Sequence, residues 1–500
     1  MDKSMTTDTL LLSETDSPEI FIGIVSPVGT SINSTIAALT QEFEAKNYAV
    51  HHIRISTLFP EIAKSLNYDK LDETTRYKRI DSYIAFANKL RDKKGSGFLA
   101  TYALSQIIEK RSQGSNRRNV YIINQLKTEI EIKNLREIYG ASFFQISIYS
   151  ARHVRVDTLA REMAHDNHRR DTNFFRGKAE SLVSRDEDEI DEDNGQQVGK
   201  IFQLADFVVN ADRPDDRNSV ATQVKRFIEL LFGHNGYSPT RREYGMFLAH
   251  SAALRSLDLS RQVGAAIFRR TGEIAALGAN EVPRAGGGTY WDEDIFDARE
   301  YKIGSDSNDQ RKKEIMDEIL SILDVNFESL NESKKEEIDD SQFMDALEYG
   351  RIVHAEMSAI TDAARLGIDV HGAKLYCTTF PCHMCSKLIV ASGISEVIFL
   401  EPYPKSLTAD LHSDSVHIEG MSRGTYEHFP SVMFSPFFGI TPRRYREFFS
   451  RTKRKVKGKF QTYRHGKATP MFESNAASYL KLESTAIASL PSTLASPFED

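Results

Sequence analysis

Hydrophobic and polar positions alternate regularly along the first half of the chain. Five short apolar segments rich in β-branched residues are separated by longer stretches with helical periodicity, and in order they are FIGIV, YAVHHIRIS, NVYIIN, FFQISIYS and DFVVN. Strands that alternate with helices predict a parallel sheet covered by helices. The alternation ends near Phe232, where GHNGYSPT indicates a linker. We therefore predict a first, doubly wound α/β domain over residues 20–235.

The second half of the chain predicts a different order of elements. An amphipathic helix, RREYGMFLAHSAALRSL, is followed by QVGAAIFRR and EIAALGAN, two strands that the turn TG joins into a hairpin. A long polar segment at about 283–345 comes next, and then a helix from near His354, the strand KLYCTTF, another helix and the strand EVIFL. We predict a second α/β domain with a mixed sheet over 236–470, with 283–345 as a lid-like insertion. Residues 1–19 and 471–500 are predicted to be a flexible leader and tail.

Composition narrows the class of protein. The chain has 500 residues, 40% hydrophobic and 27% charged, and its formal net charge of −7 argues against a general nucleic-acid binder. No apolar run approaches the roughly 20 residues that span a bilayer, and the N-terminus lacks the pattern of a signal peptide, so a cytoplasmic protein without a membrane partner is expected. Three cysteines do not make a disulfide framework, and a close pair of cysteines suggests metal binding or catalysis.

Three residues make a candidate metal centre. His354 lies at the predicted start of an Ala-rich helix, and Cys382 and Cys385 follow Pro381 at the start of the next one. Residues three apart share a helix face, and a helix N-terminus favours thiolates. Two thiolates and one imidazole would bind Zn²⁺ and leave the fourth tetrahedral position open for water, as catalytic zinc sites do.

Glu356, two residues after His354, suits proton transfer beside such a metal. A structural zinc knuckle is the alternative, but it would need a fourth Cys or His, and His383 would point away if both cysteines bind the metal. The arrangement H-x-E with P-C-x-x-C is that of zinc nucleobase deaminases, in which the metal activates water and the glutamate moves protons. Cys377, in a predicted core strand, is interpreted as an inert buried thiol.

Longer segments carry a more specific resemblance. SRQVGAAIFRRTGEIAALGANEVPRAGG resembles deoxycytidylate deaminases, and NEVPRAGGGTYW, GSDSND, TTFPCHMC and EPYPKSLTADLHSD resemble bacterial antiviral members with an N-terminal P-loop kinase-like domain. The resemblance covers about residues 20–460. It implies a cytidine-deaminase-like second domain with Zn²⁺, in which Asn280 contacts the sugar of the nucleotide. Lys405 is a candidate for a substrate phosphate, with an ordinary surface lysine as the alternative.

The resemblance also implies a function. Such proteins deaminate free deoxycytidine nucleotides, dCMP and dCTP, to the deoxyuridine forms and thereby deplete the pool that phage replication needs. Related deoxycytidylate deaminases form hexamers, so a homo-oligomer is expected, and some antiviral members are inhibited by a small RNA. A polynucleotide or tRNA editing deaminase, and a nucleotide-sensing protein with a vestigial site, stay open as alternatives.

The loop SPVGTS after the first predicted strand resembles a degenerate phosphate-binding loop. Gly29 could make its turn, but Thr30 and Ser31 follow and the loop has no lysine for the β- and γ-phosphates. It could be a phosphate-binding fold that has lost catalysis and serves as a scaffold, a regulatory nucleotide-binding site, or an active kinase or NTPase. Backbone amides at a helix N-terminus can hold phosphate without lysine, so we predict nucleotide binding or sensing without appreciable hydrolysis.

Overall fold

The chain forms two compact units. The computed structural model describes residues 18–114, 118–187, 197–212, 219–403, 405–472 and 476–488. Unit 1 comprises the described residues up to Ser238 and those from Arg443 onward, and unit 2 comprises Pro239–Pro442. None of the helices in the described part of the chain combines the length and hydrophobicity that a membrane crossing requires. Most of the predicted leader, residues 1–17, lies outside the described residues.

Five parallel strands of unit 1 pair in the order β5-β4-β1-β3-β2. The strands are β1 Ile20–Val25, β2 Ala49–Arg54, β3 Asn119–Asn124, β4 Phe143–Tyr149 and β5 Phe207–Asn210. The helices are α1 Asn33–Glu44, α2 Phe59–Ser65, α3 Arg76–Lys94, α4 Phe98–Gln113, α5 Glu129–Tyr139, α6 Arg152–Asp166, α7 Arg176–Glu187, α8 Val198–Phe202 and α9 Val220–Leu231. The five predicted strands and the parallel sheet are confirmed. Strands β1, β3 and β5 are buried at every position, as parallel strands covered on both faces are.

Unit 2 has a mixed sheet in the order β10-β11-β9-β8-β6-β7. Strand β6 is antiparallel to β7 and β8, and the other neighbouring strands are parallel. The strands are β6 Gly264–Phe268, β7 Ile274–Ala279, β8 Lys374–Thr379, β9 Glu396–Glu401, β10 Val416–Ile418, β11 Val432–Pro436 and β12 Gly439–Ile440. The helices are α10 Arg241–Ala253, α11 Glu300–Ile303, α12 Ser307–Ile322, α13 Glu332–Asp339, α14 Ala355–Arg365, α15 His383–Ala391 and α16 Thr408–Leu411. The predicted hairpin is β6–β7, and the polar insertion contains α11, α12 and α13.

Two glycines let helices lie unusually close to the β6–β7 hairpin. A Cβ at Gly264 would lie 1.9 Å from the carbonyl oxygen of Ala249 in α10, and one at Gly278 would lie 2.1 Å from that of Ala355 in α14. Neither contact can be relieved by a side-chain rotation, because the neighbouring atoms belong to helix backbone. Gly278 therefore sets the position of the first turn of α14, which begins directly after His354.

From Arg443 the chain returns to unit 1, which differs from the domain end predicted at residue 470. The returning elements are α17 Pro442–Phe449, β13 Lys455–Val456, β14 Lys459–Phe460 and α18 Ala476–Ala488. The Arg444 guanidinium donates to the Phe143 carbonyl at 2.9 Å and forms an ion pair with Asp206. These partners lie some 240 to 300 positions earlier in the sequence, so no local pattern could have indicated them.

Helix α18 corrects the prediction of a flexible tail over 471–500. Tyr479 is buried in the core of unit 1, its ring centroid is 5.6 Å from that of Phe21, and its hydroxyl donates to Glu19 at 3.0 Å. Glu483, one turn later, is buried and accepts two hydrogen bonds from Arg111. Polar side chains made this segment look solvated, but two of them, Tyr479 and Glu483, bind partners in unit 1. The last predicted tail residues, 489–500, lie outside the described residues.

Candidate active site

Three of the predicted residues meet in unit 2. The Nδ1 atom of His354 lies 3.3 Å from Cys382 Sγ and 3.4 Å from Cys385 Sγ. All three potential ligand atoms lie within 4.8 Å of one another, and among the described residues no other group of three His, Cys, Asp or Glu side chains does so. The sequence therefore selected the one such triad in the part of the chain that the structure describes.

The triad fits zinc. Zn–N and Zn–S bonds of about 2.0–2.1 and 2.3 Å place tetrahedral ligands roughly 3.6 Å apart, close to the two distances observed. His354 and Cys382 occupy the N-cap positions of α14 and α15, where the partial positive charge of a helix N-terminus favours thiolates. His383 is not part of the triad, because its Nε2 faces Glu348 Oε1 at 3.4 Å. Three ligands of this kind leave one tetrahedral position for a water or a substrate.

Electrostatics within the triad favour a thiolate at Cys382 beside a protonated His354. The hydrogen bond from the Cys385 thiol, followed by the interaction with His354, holds the pKa of Cys382 well below its usual value. Burial by itself would lower the pKa of His354, but the hydrogen bond and negative charge of Cys382 outweigh it and raise that pKa. Burial raises the pKa of the Cys385 thiol. Cys382 is thus the ligand most ready to bind a cation, and a bound cation would have to displace protons from His354 and Cys385.

Glu356 lies in the first turn of α14 and is only 4% exposed. Burial raises the pKa of its carboxyl group, and the negative charge of Cys382 adds to that rise. The thiol of Cys377, in β8, interacts with this carboxyl group and offsets part of the rise in its pKa. The sequence interpretation of Cys377 as inert missed this contact, because the alternation of β8 indicates only that the residue is buried.

A cavity of about 230 Å³ reaches the triad at His354. Its other walls come from the segment before β6, from the polar insertion and from the loop after β9. The residues that line it are Asp258, Ser260, Glu300, Asp306, Asn308, Asp309, Lys312, Met344, Asp345, Leu347, Gly350, Ile352, His354 and Tyr403. The insertion predicted to act as a lid therefore supplies seven of its fourteen lining residues.

Asn280 does not line this cavity. Its Oδ1 accepts from the Val263 amide at 2.7 Å, and its Nδ2 donates to Asp258 Oδ2 and to the Arg261 carbonyl, both at 2.8 Å. With its amide satisfied inside the protein, Asn280 holds Asp258, which does line the cavity. The sequence missed Asp258, which lies two residues before the segment that suggested Asn280.

Lys405 lies at the edge of the site rather than in it. Its side chain is 62% exposed, and its Nζ contacts Asp345 Oδ1, a lining residue, at 2.6 Å. Exposure of this degree is compatible with either of the two roles predicted for it, a contact to a substrate phosphate or an ordinary surface lysine.

The loop after β1 has the predicted turn but already holds an anion from the protein itself. Gly29 has φ of +84°, and the Thr30 amide donates to the Pro27 carbonyl at 3.2 Å. The Val28 amide donates to the carboxylate of Asp186 at 2.7 Å. Lys127, which follows β3, pairs with the same carboxylate at 2.7 Å.

Two further observations bear on the phosphate-binding interpretation of this loop. The Thr30 hydroxyl and one terminal nitrogen of the buried Arg155 have no hydrogen-bond partner, although both are inaccessible to solvent. Ser31 is exposed and makes no cap for α1, whose N-cap residue is Ile32. The lysine that the loop itself lacks is supplied near it by Lys127, but this side chain is paired with Asp186.

The segment of the chain that contains the triad is similar to known deaminases. Residues 239–401 match the family described as the cytidine and deoxycytidylate deaminase zinc-binding region. The probable deoxycytidylate deaminase of Drosophila melanogaster is 31% identical over 169 residues, which are 33% of this chain and 63% of that protein. The deoxycytidylate deaminase of Homo sapiens is 28% identical over 158 residues, 32% of this chain and 63% of that protein.

The alignment with these two relatives thus spans slightly less than two thirds of their length. A crystal structure of dCMP deaminase from the cyanophage S-TIM5 in complex with dCMP and dUMP is 21% identical, with a coverage of 35% of this chain and 91% of that chain. The TM-score for this pair is 0.22. The matched segment contains His354, Glu356, Cys382 and Cys385, so the candidate metal centre of unit 2 lies within a region similar to the cytidine and deoxycytidylate deaminase zinc-binding region.

Proposed function

We propose that unit 2 hydrolytically deaminates free deoxycytidine nucleotides, releasing ammonia and the deoxyuridine form. The observation that carries this proposal is the buried carboxyl group of Glu356 beside a triad whose donor set fits zinc. A structural zinc site would have no use for an acid whose pKa is raised in this way. The relatives named deoxycytidylate deaminase support the choice of substrate.

Each residue then has a defined task. Zinc, when bound, supplies a Lewis acid that brings the pKa of water toward neutrality. Glu356 would accept a proton from the attacking water and deliver it to N3 of the cytosine ring. It would then take the second proton from the new hydroxyl group at C4 and pass it to the amine, which leaves as ammonia. A pKa raised by burial suits a group that must both accept and return a proton near neutral pH. The Cys377 thiol, which interacts with the Glu356 carboxyl group, would help to position it.

The cavity supports a small substrate over a polymer. Its volume is about 230 Å³, and its walls include the polar insertion as well as residues beside the triad. The insertion supplies half of its lining, which suits a compact ligand better than a continuous strand of nucleic acid. Free dCMP and dCTP are therefore proposed as substrates in preference to single-stranded DNA or tRNA.

The cellular role is a further proposal. We infer that the reaction depletes deoxycytidine nucleotides during phage infection, that the chain works as a homo-oligomer, and that a small RNA inhibits it. The support is the resemblance of NEVPRAGGGTYW, GSDSND and EPYPKSLTADLHSD to antiviral deoxycytidylate deaminases. Phage plating on cells that express the wild-type chain or Glu356→Ala tests the role: protection by the wild type alone supports it, and equal protection by both contradicts it.

Unit 1 is proposed to control the reaction by binding a nucleotide at the β1–α1 loop without hydrolysing it. Gly29, Thr30 and Ser31 would contribute, together with Lys127 once Asp186 is displaced. A substitution at Gly29 would be a poor test, because any Cβ there would lie 2.7 Å from the Arg155 carbonyl oxygen. Asp186→Asn, which keeps the shape of the side chain, is the better variant.

A substrate panel tests the proposed reaction. Zinc-loaded full-length protein is incubated with dCMP, dCTP, CMP, CTP and single-stranded DNA, and ammonia and uracil products are measured. We expect the deoxycytidine nucleotides to react fastest, and Glu356→Ala to keep its zinc while losing about 10²–10⁴-fold in rate. Glu318→Ala, an exposed acid on α12, is the matched control and should behave as the wild type. Faster conversion of single-stranded DNA than of either deoxynucleotide would contradict the proposal.

A further inference from the structure

The cavity at His354 is lined by an excess of acidic side chains. Five carboxylates line it and only one lysine, Lys312, does. No arginine is among the lining residues in the described part of the chain; Arg261 lies over the Tyr403 ring but is not itself a lining residue. The acidic lining residues are Asp258, Glu300, Asp306, Asp309 and Asp345.

Only two of these five charges are neutralised by a basic side chain. Lys312 pairs with Asp309 at 2.8 Å, and Lys405 pairs with Asp345 at 2.6 Å. The other three carboxylates form no ion pair with a lysine or arginine of the described residues. Each accepts a hydrogen bond from a backbone amide: Asp258 from Ser260, Glu300 from Ser307 and Asp306 from Asp309. Asp258 also accepts one from the side-chain amide of Asn280.

Glu300 stands out among the three. It is 2% exposed, its Oε1 accepts from the Ser307 amide at 3.1 Å, and its Oε2 is buried without any hydrogen-bond partner. Leaving a buried polar atom unpaired is costly, and more so when the group carries a charge. A partner for this oxygen is therefore missing, and the side chain lines the cavity from which one would come.

The acidic lining conflicts with an anionic substrate. A deoxycytidine nucleotide would bring two to four negative charges next to three uncompensated carboxylates, and like charges in a partly dehydrated site repel strongly. A divalent cation removes the conflict. Mg²⁺ is commonly bound through one or two carboxylates together with substrate phosphates, while it keeps several waters, so it needs no preformed cage of protein ligands.

We propose that the deaminase site takes its nucleotide as a complex with Mg²⁺, held by the carboxylates of Glu300 and Asp306, and that the triphosphate is the preferred substrate. This inference rests on the proposed function of the same site. The preference follows from chemistry, since the adjacent phosphates of a triphosphate chelate Mg²⁺, whereas a monophosphate offers the ion a single group.

Steady-state kinetics of the full-length, zinc-loaded protein test the proposal. Deoxycytidine, dCMP and dCTP are compared with and without MgCl₂ in metal-depleted buffer at constant ionic strength. We expect Mg²⁺ to lower KM for dCTP by about tenfold or more, to lower KM for dCMP less, and to leave KM for deoxycytidine unchanged. If dCTP is deaminated with the same KM with and without Mg²⁺, the cation proposal is wrong, while the proposed function stands.

Two further measurements separate the possible failures. Binding of dCTP to zinc-loaded Glu356→Ala, measured by calorimetry with and without Mg²⁺, tests the cation independently of turnover. If no cytosine compound is deaminated under any condition, the proposed function fails, and Mg²⁺-dependent dCTP binding would still support the cation site. Absence of that dependence would overturn it.

A variant pair assigns the ligand. Glu300→Gln keeps the size of the side chain but removes its charge, so the tenfold effect of Mg²⁺ on dCTP should fall below about threefold with zinc content unchanged. Glu318→Gln, an exposed acid on α12 outside the cavity, is the matched control and should retain the full effect. An undiminished Mg²⁺ effect in Glu300→Gln would contradict the role given to Glu300.

Discussion

Gly278→Ala should damage the zinc site without touching any ligand. The added Cβ would lie 2.1 Å from the Ala355 carbonyl oxygen, 2.6 Å from the Ala359 amide nitrogen and 3.1 Å from the Ala359 Cβ. Since a Cβ essentially never approaches another heavy atom within about 3.0 Å, the first turn of α14 must move away from β7 by at least about 0.9 Å. The ligand His354 immediately precedes that turn.

The size of this shift sets the expected effects. Metal–ligand distances in a competent site hold to within about 0.2 Å, so a displacement several times larger should weaken zinc binding by about tenfold or more. Overpacking of a core contact typically costs about 1–3 kcal/mol of stability. The clash is with backbone, so rotation of a side chain cannot absorb it.

Zinc affinity is measured by competition with a chromophoric chelator, and stability by chemical denaturation followed by circular dichroism. Gly177→Ala is the matched control, because Gly177 lies in α7 and nothing lies within 4 Å of its virtual Cβ. That control should bind zinc normally and be no less stable than the wild type. Wild-type zinc affinity in Gly278→Ala, with stability within about 0.5 kcal/mol of the wild type, would refute the argument that this glycine positions His354.

Three further predictions follow from contacts that the sequence did not indicate. Tyr479→Ala should destabilise unit 1 by about 3 kcal/mol or more in denaturation, as truncation of a buried aromatic does. Truncation of the half-exposed neighbour Leu480 should cost under about 1 kcal/mol. Equal small losses in the two variants would mean that α18 is not part of the core. Asn280→Ala should lower the free energy of unfolding by about 1–3 kcal/mol as well as raise KM, because it leaves Asp258 without its side-chain donor; a pure KM effect would instead indicate direct contact with the nucleotide. Asp186→Asn should increase binding of a nucleoside triphosphate to the full chain by about tenfold in calorimetry, and unchanged binding would contradict a loop that this carboxylate occupies.

Local signals were sufficient for most of the secondary structure. Each of the five strands of unit 1 is a short run of apolar residues between helical stretches, and a strand buried on both faces needs no more than that to be recognised. The β6–β7 hairpin was recognisable from an equally local signal, because a short turn stands between two β-rich segments. These features depend on residues within a few positions of one another.

The metal triad was also predictable from the sequence. Cys382 and Cys385 are one helical turn apart, and His354 precedes Glu356 at a spacing with a known chemical use. The sequence thus determined which side chains could bind a metal and which acid could move protons. It also determined that the β1–α1 loop has no lysine of its own.

Partners from distant parts of the chain decided the rest. Tertiary structure alone shows that Asn280 supports Asp258, that a thiol contacts Glu356, and that α18 completes the core of unit 1. It alone places the unpaired oxygen of Glu300 in the wall of the cavity. Hydrophobic periodicity reports whether a residue is buried, but the hydrogen bonds and charges that give a buried polar group its role come from residues that only folding brings near.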